Sequence, residues 1–316
     1  DISNVTLQNN SIYIYSKDTS GTSANPQIIN NTNITASGKN NYGVYIASSA
    51  VNTGNMDLQT GTGNVGIYAV KGGIAENKKR NDGTGGIITV GGSIIPNDEY
   101  GIGMAAGYSW SKKDLLKPIS ERPEETTGNI INRGIINVNG NHSIGMYGSG
   151  LGTTVENHGT INLNTDNTTG IYLNDRAVGH NYGLITNAAG VKNVTAVVVK
   201  NGARLVNEPS GRIILDADNA LGALETKDNE NGSLGIFENY GTFEIKGSGS
   251  EERKRPTGPK DLNKSAGKGK NRLSIDVPAG SSTGTIKLGD EIKIPVIIDT
   301  QKLTLEETQV SSIGMY

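Results

Sequence analysis

The chain has no cysteine. That excludes disulfides and thiolate metal sites, although cysteine-free chains occur in every compartment. Aromatic residues are 5% and hydrophobic residues 34% of the 316 positions, too little apolar mass for an ordinary compact globule. No apolar run approaches the ~20 residues of a membrane helix, and no alternating segment carries flanking aromatic girdles. The net charge of −2 gives no global attraction to nucleic acid or to an anionic membrane. The three histidines, His142, His158 and His180, stand at different repeat positions, and no pair has metal-ligand spacing. There is no nucleophile elbow and no nonapeptide calcium repeat. Gly83-Thr84-Gly85-Gly86 lacks the Lys-Ser/Thr of a phosphate loop. No cofactor, metal ion or nucleic-acid partner is expected. Asp1 is neither a Met nor the start of a signal peptide, so a processed or engineered start is expected.

What the chain does have is a recurring phrase, apolar-x-Asn-x-Gly-x-Ile-x-apolar, closed by Gly-apolar-Tyr. The clearest copies run from Ile131-Asn132-Arg133-Gly134-Ile135-Ile136 to Gly145-Met146-Tyr147, and from Val155-Glu156-Asn157-His158-Gly159-Thr160-Ile161 to Gly170-Ile171-Tyr172. The closing position falls at Tyr45, Tyr68, Ala105, Tyr147, Tyr172, Val198 and Leu224, at intervals of 23, 37, 42, 25, 26 and 26. A period near ~25 is the length of one solenoid coil. The two long intervals hold segments unlike the rest, so loop insertions are predicted near 76–85 and 107–128. A third, basic segment near 250–273 holds eight Lys/Arg against three Asp/Glu over residues 251–272. It reads as a solvated loop or as a surface for acidic partners.

The apolar runs are short, rich in Ile and Val, and bounded by Asn, Gly, Thr and Ser, which predicts strands and turns. The fold class expected is therefore an all-β parallel β-helix over residues 1–316 as a single domain, with roughly ten coils and a length of ~50 Å. Alternation puts Ile171 with Leu173, Val44 with Ile46, and Ile67 with Ala69 in the core. Ile135, Ile161, Ile185 and Ile213 are assigned to the same core by their place in the repeat. Tyr45, Tyr68, Tyr147 and Tyr172 then point outward, where they either shield the sheet or stack on a ligand. The glycine of Asn-x-Gly is read as a turn residue with positive φ. The asparagine before it either stacks on its equivalent in the next coil or sits in a solvated turn. Ser312 to Tyr316 repeats Ser143 to Tyr147 with no polar cap after it, which predicts a piece of a longer array.

These Asn-x-Gly-x-Ile coils and Gly-Ile-Tyr closers, with no cysteine, resemble the passenger region of Gram-negative autotransporter (type V secreted) proteins. They are most similar to the large fusobacterial-type adhesins. The resemblance spans most of residues 25–245 and Ile313 to Tyr316. It implies a right-handed β-helix exposed at the cell surface, anchored to the outer membrane through a C-terminal β-barrel that is not in this chain. It also implies a non-enzymatic adhesin that binds a host-cell or partner-bacterium surface protein or glycan. A structural stalk whose binding site lies elsewhere is the alternative reading.

A β-helix polysaccharide-active enzyme is the third. Polygalacturonases resemble the chain at Asn164-Thr165-Asp166 and Gly179-His180, but the carboxylate pair expected between them is missing. Asp216 and Asp218 share a strand face that Asp166 would also join. The candidate ligand-binding residues are Tyr108, Trp110, Lys112 and Lys113. They lie in the longest insertion within the regular coils, which holds the only tryptophan of the chain. The alternative for Trp110 is packing with Leu115 and Leu116 as a cover over the β-helix.

Overall fold

Each repeat supplies three short strands, and a computed structural model shows how they stack. It describes residues 4–16, 27–92, 101–228, 232–255, 283–288, 292–299 and 302–304. The chain divides into two compact units, residues 1–254 and 255–316. In the first, strands pair in parallel with their equivalents 22 to 55 positions away and build three sheets of nine, nine and eight strands. The first sheet runs from Asn4–Leu7 to Thr242–Ile245, the second from Ile12–Ser16 to Glu251–Lys254, and the third from Gln27–Asn30 to Ile236–Asn239. This is a parallel β-helix of about nine coils. In the second unit, Thr283–Leu288, Ile292–Asp299 and Lys302–Thr304 form an antiparallel sheet. Ser312 to Tyr316 lies outside the described residues.

The repeat ruler matches the register pair by pair: Tyr45 on Tyr68, Tyr68 on Ala105, Ala105 on Tyr147, Tyr147 on Tyr172, Tyr172 on Val198 and Val198 on Leu224. It continues one coil further at each end, to Tyr15 and Lys254. Glu251–Lys254 is thus a strand of the second sheet, not part of a loop leaving the stack. Residues 256–273 of that candidate insertion lie outside the described residues. The insertion near 76–85 is a detour between Asn77 and Gly86. In most other coils the equivalent pair is only two residues apart, as in Asn132 and Gly134, and in one, Asn207 and Gly211, four apart, while the strands on either side of the detour keep their register. The insertion near 107–128 leaves after Gly107 and is closed by Tyr108 and Thr126, whose backbones exchange hydrogen bonds at 2.7 and 3.0 Å.

Ile161, Ile171, Ile185 and Ile213 are fully buried in one core with Val44, Ile46, Ile67, Ala69 and Leu173. Ile135 is the exception, half-buried on the outer side of its strand, and Ile136 takes the core position opposite Ile161. The repeat explains the slip. The first residue after the glycine faces outward in every coil (Ile135, Thr160, Leu184, Arg212), and the second faces inward. Two adjacent isoleucines hide that alternation here, as they do in the coil before at Ile87-Ile88.

The asparagines form a buried ladder. Asn30, Asn52, Asn77, Asn132, Asn157, Asn181, Asn207 and Asn239 end the eight strands of the third sheet. Each Nδ2 donates to the Oδ1 of the next at 2.7–3.0 Å. The second N–H of several reaches a carbonyl where the turn follows, such as Gly54 O at 3.0 Å and Gly183 O at 3.2 Å. All but the half-buried Asn239 at the end are buried, and their donors and acceptors are thereby paired, as a low-dielectric interior requires.

The glycine beside this ladder is not in the left-handed region, except Gly86 after the insertion, at φ 63°. A side chain on Gly159 would strike the carbonyl oxygen of Gly134 in the coil before it, so the position is glycine because two turns touch there. The glycine of the closing phrase acts similarly from within the second sheet. A Cβ on Gly145 would lie 2.6 Å from Gly170 O and 2.8 Å from Ile161 Cγ2. Positive φ falls instead on a column of turn residues, Asn40, His142, Asn167, Asn193 and Asn219, at 53–60°. Most of these are asparagines, which tolerate that region.

Replacing Asn157 by alanine removes one rung and leaves the Nδ2 of Asn132 and the Oδ1 of Asn181 buried without partners. At ~1–3 kcal/mol per orphaned group, the loss expected in denaturant unfolding is about 2–5 kcal/mol. Hydrogen exchange should accelerate in the coils around 128–185 and remain unchanged near 42–69, because each coil touches only its neighbours. Uniform acceleration along the chain would contradict a nearest-neighbour stack.

Candidate functional site

The outward tyrosines serve the stack, which narrows the search. Tyr45 packs on Tyr15, Tyr42 and Tyr68, and Tyr147 on Tyr172, with ring centroids 5.3–5.8 Å apart. The Tyr68 hydroxyl donates to Gly107 O at 3.1 Å, and burial raises its pKa well above the ordinary phenol value. These rings shield the second sheet, and the row is interrupted by Ala105 just before the large insertion.

Carboxylates are used similarly. Asp166 accepts the backbone N–H of Lys192 at 2.7 Å, Asp218 that of Ser248 at 3.1 Å, and Asp216 the Nδ2 of Asn187 at 2.6 Å. Each ties its own turn to an adjacent coil. His180 lies elsewhere, on the third sheet. Its Nδ1 is 2.6 Å from Glu208, while His158 Nε2 is 2.9 Å from Glu156. Tyr182 stands between the two histidines, with centroids 4.5 Å from His158 and 6.0 Å from His180. Comparing only identical repeat positions misses this cluster, since the His180–Glu208 contact is diagonal: the residue before the ladder asparagine in one coil meets the residue after it in the next. Among the described residues no group of three or more His, Asp and Glu is placed to hold a metal ion.

The insertion from Tyr108 to Thr126 has its own internal architecture. Ser111 caps a short helix, α1 (Lys112–Leu115), through a capping box with Asp114. Pro118 then leads into a 3₁₀ turn, Ile119–Glu121. Asp114 is the hub. It accepts from the Tyr108 hydroxyl, from Ser111 Oγ at 2.5 Å, from Ser111 N at 3.0 Å and from Lys117 Nζ at 3.1 Å. Hydrogen bonds from Ser111 and Tyr108 hold the Asp114 carboxyl well below the usual carboxylate range. Burial and the bond to Asp114 push the Tyr108 phenol up to about 12.

Trp110 is held by Pro123 and Arg122, while Leu115 and Leu116 are exposed. Its indole N–H donates to Pro123 O at 2.7 Å, and the Arg122 guanidinium lies 4.9 Å over its ring. Arg122 also donates from Nε to Lys117 O and from Nη2 to Leu115 O, both at 3.0 Å. Tyr108 and Trp110 are therefore fasteners of the loop. Lys112 and Lys113 stand on α1, and their side chains lie outside the described residues. Among its exposed residues, which include Lys117, Glu121, Glu124 and Glu125, the loop shows three large aliphatic side chains: Leu115 at 53%, Leu116 at 88% and Ile119 at 76%. Composition does not single out these three as binding residues, although Leu-Leu followed by Ile in a polar loop is a signal the sequence carries.

At the foot of the loop a groove of about 580 Å³ runs onto the neighbouring turns. Its charged lining is mixed, with Lys71 and Arg176 against Glu124, Glu125 and Asp175, and Leu151 is its exposed apolar element. Lys71 meets Glu124 at 3.1 Å, which ties the loop to the preceding coil.

A family model described as the BigA third pectate lyase-like domain matches residues 2–183. No curated protein and no solved structure matches the chain.

Replacing Asp114 by alanine should release the loop while leaving the β-helix folded, because every bond to Asp114 is internal to the insertion. Limited proteolysis between 111 and 122 and a red shift of Trp110 emission are the readouts, with the unfolding midpoint of the β-helix unchanged. The pH response has a defined sign. The folded-state pKa of Asp114 is depressed, so its stabilisation is present above the ordinary carboxylate range and lost only as pH falls through the lowered folded value. Trp110 emission in the native chain should therefore hold steady from neutral pH to below pH ~4.

Proposed function

The chain belongs to the family of the BigA third pectate lyase-like domain, and on that premise we propose that it is a non-enzymatic adhesive passenger region of a surface-exposed bacterial autotransporter, related in type to the large fusobacterial adhesins. The family match supports an autotransporter passenger-like region. The adhesive role, and attachment to the outer membrane through a β-barrel elsewhere in the parent protein, are the further content of the proposal. Its partner is a surface protein or glycan of a host cell or of another bacterium.

One observation carries this reading. The β-helix spends its inward side chains, and outward ones such as the tyrosines of the second sheet, on coil-to-coil contacts, while one rigidly fastened loop leaves the stack and turns apolar side chains toward solvent. Binding residues tend to sit on loops held by a regular scaffold. The stalk reading keeps the scaffold and gives the loop no partner.

Deleting residues 110–125 separates the two. The Tyr108–Thr126 pair at the base and the register on both sides lie outside the deletion, so the β-helix should remain folded by circular dichroism. The adhesive reading expects cell attachment to fall to background in this variant. Attachment equal to that of the intact chain would remove the loop from the mechanism, and no attachment by either would favour the stalk.

A further inference from the structure

We propose that the groove at the foot of the insertion binds a neutral oligosaccharide. This deepens the adhesive reading and rests on it for the source of the sugar, the surface of another cell. The groove crosses four successive turns between the second and third sheets. Lys71 belongs to the first, Glu124 and Glu125 to the returning limb of the insertion, Leu151 to the third, and Asp175 and Arg176 to the fourth. Three intervals of ~4.8 Å make it about 14 Å long, the span of a short oligosaccharide.

The backbone marks this place. Lys71, Asp175 and Arg176 all have positive φ, at 51°, 46° and 64°. The seven other non-glycine residues of that kind among the described residues are six asparagines and a histidine, types that tolerate the left-handed region, as aspartate does. Lys71 and Arg176 are of neither type, and both line the groove. Register shows what Arg176 displaces. Ile74, Thr154, Val178 and Arg204 share one column of the third sheet. Two places before them stand Gly72, Gly152, Arg176 and Gly202, and the three glycines have φ of 78°, 89° and 74°. An arginine where three other turns use glycine carries strain that the stack does not require. Strain of this kind gathers where a side chain is needed for something else.

The charged groups are held by one atom and unpaired at the others. Lys71 Nζ meets Glu124 Oε2 at 3.1 Å, Arg176 Nε meets Asp175 Oδ1 at 3.3 Å, and Glu125 Oε1 accepts the backbone N–H of Trp110 at 3.1 Å. Among the described residues nothing bonds Glu124 Oε1, Glu125 Oε2, Asp175 Oδ2 or the two Nη atoms of Arg176. A sugar hydroxyl both donates and accepts, so it suits carboxylate and guanidinium alike. Two cations against three carboxylates leave a slight negative excess that opposes an acidic ligand, and the pairing of Glu124 and Asp175 with those cations leaves little for a basic one. A peptide anchor needs an apolar recess, whereas the exposed apolar element of this lining is Leu151, on a turn between Gly150 and Gly152. Leu151 offers a contact for the C–H face of a sugar ring. A site of so few contacts is weak, so firm attachment relies on many copies at a surface.

The test is calorimetric titration of the 316-residue chain with neutral hexasaccharides of glucose, mannose, galactose and N-acetylglucosamine, and with a hyaluronan hexasaccharide as the acidic counterpart. Trp110 emission places the event, because its backbone N–H rests on Glu125 of the groove. Saturable binding of at least one neutral hexasaccharide is expected, with the acidic one weaker. Arg176→Gly should weaken that binding by about tenfold or more. Its unfolding midpoint should be unchanged or raised, since glycine suits the backbone there. Glu125→Gln, which keeps an oxygen for the Trp110 N–H, should weaken binding as well. No binding of any neutral hexasaccharide, binding unchanged in Arg176→Gly, or a preference for the acidic sugar overturns the proposal. Attachment to cells separates this proposal from the adhesive reading. Periodate, which cleaves sugar diols, should abolish attachment when the cells are treated with it. Attachment that survives periodate and is lost after surface proteolysis means a protein partner, so the groove proposal fails and the adhesive reading stands. Sugar binding without attachment to cells removes the adhesive reading alone.

Discussion

A parallel stack with ~4.8 Å between strands sets each residue directly against its own counterpart in the coils before and after. The side chain at a given position must therefore be complementary to a copy of itself. Asparagine satisfies this because one amide carries both donor and acceptor, and eight of them run through the third sheet bonded head to tail. Isoleucine satisfies it by shape, and tyrosine by ring-on-ring packing at 5.3–5.8 Å. Ions of one sign do not. The core accordingly excludes charge until the last coil of the first unit, where Glu225 takes the place that Val199 and Leu173 occupy before it. Its partner is not another glutamate but Arg253, 3.1 Å away on the final strand, and the Phe237 N–H adds a bond at 2.8 Å. Where repetition stops, self-complementarity gives way to a pair of opposites.

The same constraint explains how much of the fold is legible in the amino-acid sequence. Columns of like residues leave a period in the chain, so counting from Tyr45 to Leu224 recovers the register of the second sheet. The count loses its footing at the ends, where Tyr15 and Lys254 carry the position without the rest of the phrase. It also slips at Ile135, where two adjacent isoleucines fit both parities and only comparison with Thr160-Ile161 identifies the inward one. The asparagine ladder stays ambiguous in sequence because asparagine is equally at home in a solvated turn. Burial decides between these, and burial depends on how closely the turns approach. The glycine two residues on is the usable signal, since Gly159 is required by contact with Gly134 and not by its own φ.

The large insertion is legible in sequence as a place but not as a surface. Interval lengths locate it, because a segment outside the ladder lengthens the count without disturbing the columns. Composition then favours Tyr108 and Trp110 as contact residues, on the general tendency of aromatic side chains to dominate interfaces. That tendency presumes the aromatic groups are free. Here Asp114 holds the Tyr108 hydroxyl, and Pro123 and Arg122 hold the indole. A loop of nearly twenty residues without a hydrophobic core of its own must use its few rigid groups to order itself. The aromatic residues are those groups, and the aliphatic ones are left outside.

This division of labour follows from where the loop is rooted. In a stack whose positions must match their neighbours, an unmatched residue within a strand would have to be accommodated by both adjacent coils. Beyond Gly107 the chain has left the columns, and its residues answer to no counterpart. The Tyr108–Thr126 pair marks that boundary: up to it the register is set by repetition, and past it by local bonds to Asp114 and Arg122. Variation in the loop therefore leaves the ladder beneath it untouched, while variation in the ladder is felt by at least three coils. Side chains that can vary without unfolding their support stand on the far side of that boundary, and Leu115, Leu116 and Ile119 are among them.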